Sequence, residues 1–504
     1  MFQLYKIDID VSSEYIAMIN KRDAEKLEVH PGERVEIFPS DAPNRGIVCV
    51  LDVLEKNSQD IEGDVDLSLG HLGLYTRAFD ALGLKEGEMV DVKPLPRPAS
   101  FEYVKAKMDE GKKFTDETLY AIIKDMVDNK YSQSLITYFL LACATKGLDD
   151  DETASLTRAL VNTGKTLHFD DPIVADKHCI GGIPGNRTTP IVVAMVAAAG
   201  IPIPNTFTRS ITSPAGTADT LETYLKVDLS LTQMEKMVKK VKGCLVWGGA
   251  IDMAPADDII IRVEHPLNID SESQMIASIL AKKVAAGNTH CLLDIPMGPA
   301  AKVKTQEHAD HLKERFESIA TKLGLKLKVV ITDGSQPIGN GIGPVLEMMD
   351  VIKVLKNDPT APKDLKDKAV YLGGLLFEHI GKCKAGEGSA YALQLLESGA
   401  ANQKFEEIRK FQGARELPAL SETYFDFVAE RDGTIKSIDN KVIVQLCKLA
   451  GAPMDILAGV YIYKFNGETV KKGDTLFRIY SGHPTRLHYA VEHLEKNTGC
   501  YVIE

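Results

Sequence analysis

Two polar loops of this chain combine glycines, hydroxyls and cations at spacings that could bind a phosphate group. The first follows the stretch DKHC at residues 176–179 and contains three closely spaced glycines, Gly181, Gly182 and Gly185. Glycines let a backbone turn tightly against a ligand, and the helix start after such a loop offers unpaired N–H groups at a positive dipole end. The loop therefore predicts an anion site, to which Lys177 and His178 would add charge and donors. A glycine-rich turn that binds nothing is the alternative.

The second loop reads RSITSPAGTADTLE at residues 209–222 and places one arginine among many hydroxyls. Arg209 carries a planar, permanently charged fork that suits phosphate. The hydroxyl donors beside it are Ser210, Thr212 and Ser213. Either Ser213 or Thr217 could begin the helix that follows. Two anion sites indicate two phosphates, or one phosphate held from both sides, and a polar capped loop without a ligand is the alternative.

A third stretch could supply a proton donor. Ser278 and Lys282 lie four residues apart on an amphipathic helical pattern and so share a face. Asp270 precedes that helix, where it could either cap the helix or act as a carboxylic acid whose pKa is raised in a closed site. Lys302, after the apolar run CLLDIPMG, is a further candidate donor to phosphate or a carbonyl, unless it is simply solvated.

Composition excludes several classes of function. The 504 residues carry a net charge of -12 without a lysine or arginine cluster, which disfavours a nucleic-acid partner. No apolar run reaches the roughly 18 residues of a membrane span, and the N-terminus lacks the apolar core of a signal peptide. The eight cysteines are scattered without metal-type spacing. We therefore expect a cytoplasmic protein with reduced thiols and no metal site.

The pattern along the chain predicts an α/β multidomain fold with four parts. Residues 1–93 predict a β-rich domain, which would serve assembly, followed by the proline-rich linker VKPLPRPAS. Residues 94–175 predict a helical domain, completed by residues near 255–285. Residues 176–415 predict a central mixed-sheet α/β domain that binds phosphate or nucleotide, and residues 416–504 predict a barrel-like α+β domain.

Five motifs in one order resemble the thymidine phosphorylase family. They are DKHxxGG at 176–182, RxxxSxAGTxDxLE at 209–222, APAD at 254–257, IASILAKKVAAG at 276–287 and QPIGNGIGPVLE at 336–347. Three features resemble one branch, the archaeal AMP phosphorylases. These are the extra N-terminal domain, the RSITSPAGTADTLE loop in place of a glycine-rich SGRGLGHTGGT form, and the insert RVEHPLNIDSE.

The resemblance implies reversible phosphorolysis of nucleoside 5′-monophosphates. AMP and phosphate would give adenine and ribose 1,5-bisphosphate, with CMP and UMP as further substrates, in nucleotide salvage. Asp270 would be the proton donor. The residues that would contact nucleotide or phosphate are Gly182, Thr208, Arg209, Ser210, Ile211, Thr212, Ser213, Thr217, Ser278 and Lys302, with Lys177, His178 and Lys282 as secondary candidates. No cofactor or metal is implied, inorganic phosphate is a co-substrate, and the protein would be a homodimer or larger homo-oligomer.

The chain departs from the family pattern at two positions, and other functions remain open. Cys179 and Phe207 stand where the nucleoside enzymes carry phosphate-binding serines. A thymidine or pyrimidine-nucleoside phosphorylase is the nearest alternative. An anthranilate-type phosphoribosyltransferase would need Mg²⁺, for which Asp257 and Asp258 are candidates. The tail GETVKKGDTLFRIY is similar to a biotinyl or lipoyl carrier, but it lacks a lysine flanked by methionine at a hairpin tip.

Overall fold

The computed structural model describes residues 1–11, 14–54, 67–210, 213–251, 253–267, 269 and 271–504. The chain forms two compact units. One contains residues 1–163 with 255–277, and the other contains residues 164–254 with 278–504. Within the described residues, no helix is both long enough and apolar enough to cross a membrane.

The first unit begins with a closed six-stranded β-barrel. Its elements are β1 (Phe2–Ile7), β2 (Ile16–Asn20), α1 (Lys21–Leu27), β3 (Arg34–Pro39), β4 (Ile47–Leu54), β5 (His71–Tyr75), α2 (Thr76–Leu82) and β6 (Met89–Pro94). The strand order is β1-β5-β2-β4-β3-β6. Alternate residues of β3 are buried, as a strand with one face toward a core requires. Closure pairs every strand on both sides, so the barrel has no exposed edge.

A helical bundle completes the first unit. Its helices are α3 (Phe101–Glu110), α4 (Asp116–Val127), α5 (Gln133–Lys146), α6 (Asp150–Asn162) and α10 (Pro255–Leu267). The side chains of Thr115 and Asp149 cap α4 and α6 by accepting backbone N–H groups of the first turn. Although it is distant in sequence, α10 packs against α4 and α5.

The second unit contains the α/β part. Three parallel strands pair in the order β11-β10-β7, and two further parallel strands, β8 and β9, pair with each other. These strands are β7 (Ala175–Cys179), β8 (Ile203–Phe207), β9 (Gly243–Trp247), β10 (His290–Met297) and β11 (Lys326–Asp333). The sequence predicts a mixed sheet here, but these five strands pair only in parallel. Helices connect them, and such crossover connections let successive strands run in the same direction.

Nine helices of this part are within the described residues. They are α7 (Thr188–Ala198), α8 (Thr217–Glu222), α9 (Leu231–Val241), α11 (Glu272–Ala285), α12 (Gln306–Lys322), α13 (Pro344–Leu355), α14 (Lys363–His379), α15 (Gly388–Glu397) and α16 (Ala400–Gln412). The residues of α11 up to Ala277 belong to the first unit, and only the rest of this helix belongs to the second. Helix α7 is apolar on nearly every side, and nine of its eleven residues are buried. This burial matches the run IVVAMVAA, which has no polar face.

The C-terminal part has two small sheets rather than one barrel. Their strands and helices are β12 (Gly341–Ile342), β13 (Tyr424–Val428), β14 (Gly433–Ile438), α17 (Asn440–Ala450), β15 (Gly459–Ile462), β16 (Thr469–Val470), β17 (Thr475–Tyr480), α18 (Pro484–Lys496) and β18 (Tyr501–Ile503). The sheet orders are β12-β15-β17-β13 and β16-β14-β18. Both sheets contribute side chains to one apolar core with α17 and α18. The multidomain α/β class with four parts is thereby confirmed.

Candidate active site

The glycine loop after β7 lies against the loops that follow β10 and β11. Gly182 has a φ of +97°, and a side-chain Cβ built there would come within 2.9 Å of the Lys302 backbone nitrogen. A Cβ on Gly185 would collide with the Ile338 carbonyl oxygen. Only glycine tolerates such backbone angles and such close approach. The loop therefore lies at the carboxyl edge of a parallel sheet, where ligands of open α/β folds bind.

Positive charge is concentrated beside this loop. His178 is held neutral because burial and then four neighbouring lysines lower its pKa well below the ordinary value. The four lysines are Lys283, Lys177, Lys282 and Lys302. The structure thus brings together several residues predicted from separate motifs. Among the described residues, the exposed Lys302 ammonium has no hydrogen-bond or ion-pair partner, so it is available to an anion.

Lys177 does not project as a free cation. Its ammonium is buried and donates to the hydroxyls of Thr188 at 2.8 Å and Thr189 at 3.3 Å, in the first turn of α7. Burial lowers the pKa of Lys177. The side chain therefore fixes the start of α7 relative to β7, and its contribution to the site is electrostatic.

A buried carboxylate, Asp176, lies in β7 just before the glycine loop. Asp176 accepts hydrogen bonds from the side-chain amides of Asn205 at 2.6 Å and Asn288 at 3.1 Å, and its second oxygen lies 2.8 Å from the Lys283 ammonium. Lys283 also donates to the Thr206 carbonyl at 3.1 Å. Sequence reasoning missed these partners, because no spacing along the chain links residue 176 to residues 205, 283 and 288.

A second buried ion pair joins the two polar loops. The Arg187 Nε donates to the Thr220 hydroxyl at 3.0 Å and pairs with Glu347, while its Nη2 donates to the Ala215 carbonyl. Thr220 in turn donates to Glu347 at 2.8 Å. Burial raises the pKa of Glu347, and Arg187 opposes that rise. These residues were also missed, since nothing in the sequence shows that 187 and 347 meet.

The second polar loop is organised by Asp219. One oxygen of this carboxylate accepts the backbone N–H groups of Ser210 at 2.7 Å and Gly216 at 2.8 Å. Helix α8 begins at Thr217 with Gly216 at the cap position, so the start at Ser213 is wrong, and so is the expectation that a hydroxyl of Ser213 or Thr217 caps this helix. The hydroxyls of Ser210 and Ser213 donate to carbonyls within the loop. The loop is therefore closed on itself by hydrogen bonds and joined to the helix start.

Arg209 is bound by acidic side chains. Its Nη1 donates to Glu222 at 2.6 Å and to Asp219 at 3.3 Å, and these hydrogen bonds raise its pKa. The guanidinium also lies 4.5 Å from the centre of the Trp247 ring. Thus the fork predicted to hold phosphate already has carboxylate partners.

The remaining predicted residues fall in three places. Ser278 and Lys282 lie on α11, one turn apart, and are partly buried. Thr208 is exposed directly after β8. Three predicted site residues, Ile211, Thr212 and Asp270, lie outside the described residues.

The two departures from the family pattern both lie at strand ends. Cys179 ends β7, and its sulfur accepts the N–H of Gly181 at 3.4 Å and the amide of Asn186 at 3.5 Å. Burial raises the pKa of this thiol, so it is a neutral group. Phe207 ends β8 with its ring buried.

Comparison with known proteins identifies the family. Residues 101–164 match the "Glycosyl transferase family, helical bundle domain" model, residues 171–402 the "Glycosyl transferase family, a/b domain" model and residues 434–500 the "Pyrimidine nucleoside phosphorylase C-terminal domain" model. The anthranilate phosphoribosyltransferase of Thermus thermophilus shares the fold, with a TM-score of 0.51 and 20% identity over 61% of this chain and 98% of that chain.

Two relatives match most of the sequence. A protein of Rhodopseudomonas palustris (strain BisA53), named "Putative thymidine phosphorylase", is 42% identical over 99% of this chain and 96% of its own length. A protein of the same name from Methylococcus capsulatus is 45% identical over 85% of this chain and 83% of its own length. The chain belongs to the thymidine and pyrimidine-nucleoside phosphorylase family, whose members are pentosyltransferases that use phosphate.

Proposed function

We propose that this protein catalyses reversible phosphorolysis of nucleoside 5′-monophosphates. AMP and inorganic phosphate would give adenine and ribose 1,5-bisphosphate, and CMP and UMP would be further substrates, so the enzyme would serve nucleotide salvage. Family membership establishes pentosyl transfer with phosphate. The proposal adds that the substrate is a nucleotide, which carries a phosphate group of its own.

The observation that carries the proposal is the pair of polar loops at the ends of neighbouring strands. The loop after β7 leads into α7, and the loop after β8 leads into α8. The strands are tied by Asn205, whose side-chain amide donates to the Lys177 carbonyl at 2.9 Å. A nucleoside phosphorylase needs one phosphate site, for the nucleophile. A nucleotide phosphorylase needs a second, and the β8 loop, which lies beside the first, is our candidate for it.

The chemistry follows from charge development. Breaking the N-glycosidic bond places positive charge on the ribose and negative charge on the departing base. Phosphate held beside Lys302 and the glycine-loop N–H groups would attack C1′ and stabilise the ribose cation. Asp270 would donate a proton to the base, for which it must be protonated before the bond breaks. His178 is neutral and could donate a hydrogen bond without adding charge.

We also propose that the reaction needs no metal and no cofactor. Inorganic phosphate is the second substrate, and neither substrate contains a pyrophosphate that would require Mg²⁺. We expect the enzyme to be a homodimer or larger homo-oligomer, with the N-terminal barrel serving assembly. Size-exclusion chromatography with light scattering would measure the assembly directly.

The test is phosphate-dependent base release from AMP, adenosine and thymidine, measured in parallel with either Mg²⁺ or EDTA. We expect release from AMP without metal, together with a ribose bisphosphate product, and no release when phosphate is omitted. Release from thymidine or adenosine but not from AMP would overturn the proposal. It would favour the nucleoside phosphorylase alternative, which is also the activity that the names of the relatives give.

A further inference from the structure

The Arg209 guanidinium lies in an acidic environment that opposes anion binding. Glu222 and Asp219 both accept hydrogen bonds from Nη1, and an oxygen of Asp228 lies 3.8 Å from Nη2. Three carboxylates therefore face Arg209. Within the described residues, the one other guanidinium that pairs with them is that of Arg415, whose Nη1 lies 3.8 Å from Glu222, so formal negative charge exceeds positive charge around the Arg209 fork. A phosphate that approached this fork would meet more negative than positive charge.

Trp247 restricts the same guanidinium from another side. The ring centre lies 4.5 Å from the Arg209 Cζ, within the range of a cation–π interaction. The indole itself is held in place: a Cβ on Gly249 would come within 2.6 Å of the ring, and the Trp247 backbone N–H donates to the Val227 carbonyl at 3.0 Å. Arg209 thus connects the loop to the end of β9 as well as to α8.

Asp219 links Arg209 to the shape of the loop. The carboxylate that accepts the N–H groups of Ser210 and Gly216 with one oxygen accepts the Arg209 Nη1 with the other. Its charge is therefore shared between the loop backbone and the guanidinium. Removing Arg209 would take from Asp219 and Glu222 the guanidinium that they share, leaving Glu222 with Arg415 at 3.8 Å, and repulsion between the two carboxylates would open the loop.

We propose that Arg209 is a positioning residue and that its guanidinium does not bind the phosphate. It would hold the loop in the conformation in which neutral donors, including the exposed Thr208 hydroxyl, bind the anion. This inference rests on the proposed function only in the identity of the anion. In a nucleotide phosphorylase the loop binds one of the two phosphates, and in a nucleoside phosphorylase it binds inorganic phosphate.

The variants Arg209→Met and Glu222→Gln separate the two roles. If Arg209 only positions the loop, both variants break the same unit. Both should then raise the KM of the anion bound there, about tenfold or more, and the double variant should be no worse than the more damaging single one. Arg209→Lys should restore part of the loss, because it keeps one ion pair but lacks the planar fork. Glu235→Gln on α9 removes the same charge from an exposed pair and should change nothing.

The opposite sign for Glu222→Gln would overturn the inference. If the guanidinium bound phosphate, releasing it from Glu222 would lower the anion's KM while Arg209→Met raised it. Unchanged KM values in both variants would overturn it equally. Trp247 is the single tryptophan, so its fluorescence in the unliganded protein reports whether the stacked arrangement is altered in each variant.

The outcome does not depend on which substrate the enzyme prefers. KM values for AMP and for inorganic phosphate are measured in every variant if the wild-type protein uses AMP. If the wild-type protein uses only nucleosides, the proposed function fails, and the sign of the Glu222→Gln effect on the KM of inorganic phosphate still decides the role of Arg209.

Discussion

The buried ion pair between Arg187 and Glu347, which joins the two polar loops, should be costly to break. Glu347 is 1% exposed and Arg187 is 9% exposed, so removing either partner leaves a charge that water cannot solvate. Breaking one partner of a buried pair typically costs about 3–5 kcal/mol. We expect Arg187→Met to lower the free energy of unfolding by about that amount near neutral pH.

The pH dependence gives this prediction its sign. Burial already raises the pKa of Glu347, and the variant removes the arginine that opposes the rise. In the unfolded chain Glu347 releases its proton near its ordinary pKa of 4.5, whereas in the folded variant it keeps the proton to a higher pH. The stability of the variant therefore falls as the pH rises from about 4.5 to the pKa of Glu347 in the folded state. Relative to wild type, Arg187→Met should therefore be less destabilised at about pH 5 than at about pH 8.

Glu347→Gln is the matched control. It leaves Arg187 buried without Glu347 as its counter-ion, and a guanidinium cannot release its proton in this range, so the stability of this variant should lack the fall with rising pH that the raised pKa of Glu347 causes in the chains that keep it. The double variant Arg187→Met with Glu347→Gln should cost less than the sum of the singles. Urea unfolding at several pH values measures all three. A loss below about 1 kcal/mol for Arg187→Met, or one that grows on acidification, would refute the reasoning.

Three further predictions concern the glycine loop, its cation and a buried acid. Gly182→Ala should raise the KM of phosphate roughly tenfold or more, because its Cβ would clash with the Lys302 backbone nitrogen. Gly181→Ala is the control: its backbone is also strained, at a φ of +85°, but its Cβ would meet open space, so its effect in the same kinetic assay should be smaller. Lys302→Met should raise the KM of phosphate roughly tenfold, as expected for a lost charged hydrogen bond, while the exposed Lys304→Met should not. Burial raises the pKa of Asp350 from 3.8 to about 7, so wild-type stability should fall as pH rises toward 7. Asp350→Asn should then gain about 3 kcal/mol relative to wild type between about pH 5 and pH 8 in urea unfolding, and a gain on acidification instead would contradict the assignment.

The sequence predicted the glycine loop and its neighbours because the information is local. Three glycines within five residues, followed by an apolar helical run, indicate a backbone turn and a helix start wherever they occur. The clustering of Lys302 and Lys282 near His178 could be predicted only through the family resemblance. Parallel strands bring loops more than a hundred residues apart to one edge, and spacing alone does not reveal strand order.

The supporting networks could not be predicted for the same physical reason. Asp176 and Lys283 are separated by more than a hundred residues, and so are Arg187 and Glu347, yet each pair is in direct contact. A charged residue in an apolar segment indicates that a partner exists, since burying it alone is costly, but not which residue that is. Arg209 illustrates the converse, because residue type predicted a phosphate ligand while the structure supplies carboxylate partners.

In the proposed reaction the two polar loops would bind anions by different physical means. Beside the β7 loop, the exposed Lys302 and the lysines around His178 place positive charge close to the loop, although Lys283 is paired with Asp176, in a chain whose net charge is -12. Beside the β8 loop, Arg209 is offset by acidic neighbours, and under our proposal an anion there is held by neutral donors. Screening by salt weakens the first interaction much more than the second, because the Debye length is only about 8 Å at physiological ionic strength. We expect the KM of the anion bound at the β7 loop to rise steeply with added salt, while that of the anion at the β8 loop changes little. If the KM values of both anions rose equally with salt, both loops would rely on net charge. Arg209 would then be a phosphate ligand, as its residue type predicted.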